Sequence, residues 1–306
     1  MAQDPVGRRE AVLGWIRGRS RGRRALEVLM HRSPALAVGL LLAAVLAAVL
    51  AAVPPGHVAA AEATRRDAPP VYVALGDSFS SGVGTRDYLD DGSGCLRSRY
   101  AFPHRLARAE GWRLRFEACS GATVRQVRRR QLAALVGADY VSVGVGGNDA
   151  RFRAVLTTCA LPRWVSDCGK AVDGADAVVR DQLPRRLARL MRRIDARAPG
   201  AVVVVVGYPR LFMGEDCNLA TWFSPAEQRR LAATQRALNA ALRAAAGAEG
   251  FAFADPSAAF TGHAVCDDAE WINGLSRPLR ESYHPNRDGH RAGYTPLVGA
   301  RLRAGG

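Results

Sequence analysis

Beyond Pro70 the chain alternates short runs with longer stretches in which apolar residues return every three or four positions. The short runs Val71–Leu75, Arg113–Ala118, Tyr140–Val145, Ala201–Val206 and Phe251–Ala254 predict strands. The fourth ends in an uninterrupted valine run, the signature of a parallel strand buried on both faces. Helical periodicity predicts helices over Tyr100–Glu110, Thr123–Leu135, Ala171–Arg197 and Pro225–Ala246. The last opens on Ser224-Pro225-Ala226-Glu227, a capping box with proline at the first helical position, and stops at Gly247. Strand and helix in turn predict an α/β domain, an open parallel sheet with helices on both faces. Right-handed crossovers then gather the strand-to-helix loops on one edge, where ligands of such sheets bind.

Residues 1–61 follow a different pattern. Arg8, Arg9, Arg17, Arg19, Arg21, Arg23, Arg24 and Arg32 precede an uncharged apolar run, 35–53, followed by Pro54-Pro55 and small residues. Basic, apolar and then small residues is the order of an export signal, with Ala61 or Ala63 as cleavage points. The run is also long enough to span about 28 Å as a helix, so a retained signal-anchor is the alternative. Arginine on its amino-terminal side keeps that side in the cytoplasm in both cases, placing the rest of the chain outside. The predicted organisation is export signal or signal-anchor (1–61), linker (62–70) and one domain (71–306).

The six cysteines, all beyond the leader, agree with an oxidising destination. Among the possible pairings, joining neighbours in sequence gives Cys95–Cys119, Cys159–Cys168 and Cys217–Cys266, each closing a segment near the carboxyl end of a strand. Cysteine spacing shows no zinc pattern, and Asp267-Asp268 lacks the spaced partners of a calcium loop, so no metal is predicted.

A formal charge of +15 first suggests nucleic acid, but of 43 basic residues all except Lys170 are arginine, the mark of a coding bias. From Leu183 to Ala198 the apolar residues Leu183, Leu187, Leu190, Met191, Ile194 and Ala198 form one stripe and the arginines cover the rest, a core-packed helix with a solvated back. Without a nucleic-acid-binding signature, the charge serves at most to meet an anionic lipid surface.

Candidate chemistry lies in the loops after strands. The first strand runs into Gly76-Asp77-Ser78-Phe79-Ser80-Ser81-Gly82, presenting the Ser78 hydroxyl and its N–H at a strand-to-helix turn. An N-cap serine is the plainer reading of that segment. The second strand leads to Ser120-Gly121-Ala122, the third to Gly146-Gly147-Asn148-Asp149, and the fifth is followed by Glu281-Ser282-Tyr283-His284. A glycine N–H, a side-chain amide and an imidazole thus gather at one edge. Asp77 reads as a brace for its turn, and His104, His263 and His290 as structural or solvated residues.

In order and spacing these blocks resemble the SGNH (GDSL) hydrolases, from Val71 to about Ala304. With Trp271-Ile272-Asn273-Gly274-Leu275 and the cysteines they are most similar to the secreted actinobacterial lipases, esterases and phospholipases of that family. The resemblance implies a three-layer α/β/α fold with a five-stranded parallel flavodoxin-like sheet and no cofactor. It implies Ser78 as nucleophile, His284 as base and acid, and the Ser78 N–H, Gly121 N–H and Asn148 amide as oxyanion-hole donors. Family members often carry aspartate three residues before the histidine. Here that position is Glu281, so two readings stand: Glu281 completes a triad, or the Ser282 carbonyl orients His284 in a dyad.

Apolar residues in the long segments after the third and fourth strands, Phe152, Val155, Leu156, Leu161 and Trp164 in the first and Leu211, Phe212, Met213, Trp222 and Phe223 in the second, suggest an acyl-binding wall, with Trp164, Phe212, Trp222 and Trp271 as candidate substrate contacts. Small cores beneath tethered loops are the alternative. The expectation is a secreted, monomeric lipase or esterase acting on fatty-acyl or other esters, without nucleic-acid partners. A carbohydrate O-acetyl esterase or acyltransferase of the same fold comes second, and a non-catalytic cell-surface binding module third.

Overall fold

A computed structural model describes residues 68–305, so the predicted leader, the apolar run 35–53 and most of the linker lie outside the described residues. Five parallel strands form one sheet: β1 (Val71–Gly76), β2 (Arg113–Phe116), β3 (Tyr140–Gly144), β4 (Val202–Val206) and β5 (Ala252–Ala254), in the order β2-β1-β3-β4-β5. Every residue of β1 is buried, as are four of the five in β4, whereas the edge strands β2 and β5 are partly exposed. The valine run of β4 therefore marks an interior strand and the arginine-bearing run of β2 marks an edge.

From β1 the chain goes to β2 on one side and later from β3 to β4 on the other. Right-handed crossovers consequently lay helices on both faces, and the order reverses between β1 and β3. The helices are α1 (Ser78–Ser81), α2 (Phe102–Glu110), α3 (Phe152–Cys159), α4 (Cys168–Ala177), α5 (Leu183–Arg197), α6 (Pro225–Gly247) and α7 (Thr295–Ala304). The stripe of α5 is wholly buried at Leu183, Leu187, Leu190, Met191 and Ile194. At the start of α6 the reciprocal cap forms: Ser224 N donates to Glu227 Oε2 at 2.9 Å, and Glu227 N to Ser224 Oγ at 3.3 Å.

Three expectations change. The single helix expected over Ala171–Arg197 is two, α4 and α5, joined by a wide turn at Val178–Gln182. Pro184 has no N–H to give a helix interior, but fits the first turn of α5. Thr123–Leu135 is not one regular helix but a short α turn, a π turn and a 3₁₀ turn in succession. Phe152–Cys159, read as loop, is helix α3, with Val155, Leu156 and Cys159 turned inward at helical spacing.

Disulfides join Cys95 to Cys119, Cys159 to Cys168 and Cys217 to Cys266. The first tethers the segment after α1 to the end of β2. The second closes the loop between α3 and α4, and the third ties the long segment after β4 to the one after β5.

Candidate active site

At the end of β1 the backbone turns sharply. A side chain at Gly76, whose φ is +136°, would meet the Gly144 carbonyl oxygen at 2.4 Å, so only glycine lets β1 and β3 approach this closely here. Gln131 fixes the peptide groups on both sides of this glycine, its Oε1 accepting from Gly76 N at 2.8 Å and its Nε2 donating to Gly76 O at 2.9 Å. Asp77 caps α1 by accepting from Phe79 N at 3.0 Å. This frame holds Ser78 at the first position of α1, where its N–H is free of the helix ladder.

Ser78 Oγ lies 2.9 Å from His284 Nε2, and His284 Nδ1 lies 2.9 Å from the Ser282 carbonyl oxygen. A carbonyl can only accept, so Nδ1 carries the proton and the Nε2 lone pair faces the serine. Burial depresses the His284 pKa from 6.5 to about 4, with Arg153 adding repulsion and the Ser282 hydrogen bond opposing. Around neutral pH the imidazole is uncharged and ready to take a proton.

Asn148, after β3, donates from Nδ2 to the Ala122 carbonyl at 3.1 Å, tying its loop to that of Gly121. The amide keeps a second N–H. Asp149 holds the same two loops together, accepting from Val124 N at 2.8 Å and pairing with Arg186 at 3.1 Å. Gly121 has φ +79°, in the turn just beyond the Cys95–Cys119 bridge. The three groups expected as donors therefore lie on three loops, those of Gly121 and Asn148 stitched to each other.

Glu281 does not face His284, and the triad expectation is corrected on this point. Its carboxylate is buried and accepts from Gly84 N at 2.8 Å and from the Tyr88 hydroxyl. The Ser282 carbonyl occupies the place beside Nδ1 instead. Gly84 admits no side chain, because a Cβ there would meet the Pro285 carbonyl oxygen at 2.4 Å. Glu281 thus clamps the segment after α1 onto the histidine loop.

Ser78 and His284 open onto a cavity of about 430 Å³ whose wall includes Phe79, Phe152, Leu156, Leu161, Leu211 and Leu238, with Arg153 and Arg280 also lining it. None of the four expected aromatic contacts lines it. Trp164 stands exposed in the Cys159–Cys168 loop, and Trp222 is exposed beside the lining residue Thr221. Phe212 is buried against Phe223 and Tyr283, and Trp271 stacks on His263 at 3.7 Å. Of the wider apolar set expected to form the wall, Phe152, Leu156, Leu161 and Leu211 do line the cavity, and α3 contributes Phe152, Arg153, Leu156 and Thr157.

Tyr208, two residues beyond β4, was not anticipated. Its hydroxyl is within 2.5 Å of Asp77 Oδ2 and accepts from Gly147 N at 3.2 Å. Its place at the carboxyl end of a strand was the available signal. Among the described residues Cys217, Cys266 and Glu270 bring metal-ligating atoms together, but the two sulfurs are joined to each other.

Comparison with known proteins gives a consistent result. Residues 74–292 match the model of the GDSL-like lipase/acylhydrolase family. A lipase of Streptomyces rimosus is 40% identical over 230 residues, covering 74% of this chain and 85% of that protein. Two solved structures resemble the fold with a TM-score of 0.72 each. The extracellular lipase of Streptomyces rimosus is 37% identical, covering 76% of this chain and 99% of that one. Phospholipase A1 of Streptomyces albidoflavus NA297 is 36% identical, covering 76% of this chain and all of that one.

Proposed function

The chain belongs to the GDSL-like lipase/acylhydrolase family and is a carboxylic ester hydrolase, and we propose that it is secreted, acts on fatty-acyl esters and works through a Ser78–His284 dyad. The observation that carries this reading is the 2.9 Å contact between Ser78 Oγ and His284 Nε2 at the mouth of an apolar cavity.

In the first step Ser78 Oγ attacks the acyl carbonyl while its proton passes to His284 Nε2. The oxyanion is held by the Ser78 and Gly121 N–H groups and the free N–H of Asn148. Collapse of this intermediate breaks the ester C–O bond, and the leaving alkoxide takes the proton from Nε2. Water then enters by the reverse sequence, its proton going to Nε2 and on to Ser78 as the carboxylic acid departs. The Ser282 carbonyl holds the imidazole in the working tautomer throughout.

The apolar wall favours an acyl chain over an acetyl group, and the lipase and phospholipase relatives point the same way. Secretion accords with three disulfides and with the extracellular relative. In this reading residues 1–61 serve export, 71–306 form a monomeric hydrolase domain, and the arginine excess favours anionic lipid rather than nucleic acid.

The test is covalent labelling by a fluorophosphonate together with hydrolysis of p-nitrophenyl esters from acetate to palmitate. Labelling by the wild-type protein and its loss in Ser78→Ala are expected, with activity extending to long chains. Absence of labelling overturns the mechanism, and activity confined to acetate overturns the acyl preference.

A further inference from the structure

The cavity is bordered by three loops that each expose apolar side chains to solvent. Between α3 and α4 the loop closed by Cys159–Cys168 places Leu161 in the cavity wall and Trp164 and Val165 outside it, all exposed. After β4, Ala220 and Thr221 line the cavity while their neighbours Leu219 and Trp222 are exposed. Before His284, Leu275 and Leu279 line it and are themselves exposed. Large apolar side chains gathered on separate loops around one opening need an apolar partner, because water disfavours each of them.

The charges of the same segments indicate which partner. Residues 161–166 and 275–280 contain Arg163, Arg277 and Arg280 and no carboxylate. The nearby acids are Asp167, exposed and capping Lys170 N at 2.8 Å, Asp216, which accepts from Thr221 Oγ1 at 2.8 Å and Phe223 N at 2.9 Å, and exposed Glu215; they lie at the margin, outside the two arginine-bearing segments. Tryptophan and leucine interleaved with arginine suit a boundary between acyl chains and anionic headgroups. The apolar surface also runs from the rim into the wall of the acyl cavity, so a chain leaving a lipid layer would pass along it without entering water.

We propose that this rim docks on an anionic lipid surface, Trp164, Val165 and Leu219 entering the acyl boundary and Arg163 and Arg277 meeting headgroup phosphates. The inference rests on the fatty-acyl ester hydrolase reading, and it names the surface through which that enzyme meets its substrate.

Binding is read by sedimentation with vesicles of phosphatidylglycerol or phosphatidylcholine, in a Ser78→Ala background that leaves the lipid intact. The protein should sediment with phosphatidylglycerol and much less with phosphatidylcholine. Trp164→Ser/Val165→Ser/Leu219→Ser should lower the partition coefficient by at least ~10-fold, since each lost apolar side chain weakens transfer. Arg163→Gln/Arg277→Gln should reduce the preference for phosphatidylglycerol by roughly 30-fold, on the basis of about 1 kcal/mol for each cation at such a surface. With Ser78 intact, both sets should hydrolyse soluble p-nitrophenyl butyrate within about twofold of wild type, as expected of surface substitutions. Undiminished vesicle binding by the apolar variant, or equal binding to the two lipids, overturns the docking proposal. Failure of the wild-type protein to hydrolyse the soluble ester overturns the hydrolase reading instead, so the two failures are distinct.

Discussion

The Tyr208 hydroxyl donates to Asp77 Oδ2 at 2.5 Å while Gly147 N donates to the same hydroxyl at 3.2 Å. One side chain from the end of β4 therefore joins the residue before Ser78 to the residue before Asn148. Tyr208→Phe leaves a buried carboxylate oxygen and a buried N–H without partners, a loss of about 1–3 kcal/mol in stability. Because it loosens both loops, kcat should fall more than KM rises. Urea denaturation and steady-state kinetics of the variant measure the two effects, and an unchanged kcat would deny Tyr208 any part in positioning them.

Asn148 is expected to matter chiefly once charge has developed on the substrate oxygen. Asn148→Ala should lower kcat by about 10²–10³-fold, corresponding to about 3–4 kcal/mol of transition-state stabilisation, with little change in KM. A rise in KM at constant kcat would instead make Asn148 a ground-state binding group.

Glu281 separates chemistry from scaffolding. Its carboxylate grips Gly84 N and Tyr88 rather than the imidazole, so Glu281→Gln should cost only a few-fold in kcat. Stability should drop by about 1–3 kcal/mol, the usual cost of an imperfectly satisfied buried group. A loss of several orders of magnitude in kcat, with the fold intact by circular dichroism, would restore the triad.

Protonation of His284 removes the acceptor that Ser78 requires. With its pKa depressed to about 4, kcat/KM should hold as pH falls through 6.5 and decline only towards pH 4. The stability contribution has a related sign. Between pH 6.5 and 4 the unfolded chain binds a proton at this histidine that the folded chain does not, so the contribution is complete above 6.5 and is lost as pH falls through 4. His290, buried and accepting from Phe102 N at 3.2 Å, adds the same sign down to about pH 3. Activity and urea midpoints measured from pH 3 to 8 test both statements.

The disulfides should contribute unequally. Cys217 and Cys266 are 49 residues apart and Cys159 and Cys168 only 9, so loop-closure entropy gives about 4 and about 2.6 kcal/mol. Paired alanine replacements compared by denaturant unfolding should preserve that order.

The central strand β4 was legible because burial on both faces leaves an unbroken apolar run. The positions of Ser78, Gly121, Asn148 and His284 at the sheet edge were legible because each follows a strand or its connecting loop. The break at Val178–Gln182 was signalled too, by Pro184 just beyond it, but helical periodicity on both sides carried the expectation across it. The direction of Glu281 was not readable, since a spacing of three residues does not say which way a side chain leaves a turn. The cavity wall was legible in part: Phe152, Leu156, Leu161 and Leu211 stood out as apolar residues of the long segments, whereas the four aromatic contacts were misplaced because composition does not say which way a loop side chain points.

The group that faces His284 Nδ1 is main chain, the carbonyl of Ser282. Every amino acid brings that oxygen, so no codon change at position 282 deletes it; only a different chain path would. In the proposed dyad the orienting group is thus inherited with the fold, and substitutions that threaten it act from elsewhere, at Glu281, Gly84 or Asn273, whose Nδ2 donates to the Gly84 carbonyl at 2.9 Å and the Glu281 carbonyl at 3.3 Å, by letting the path shift.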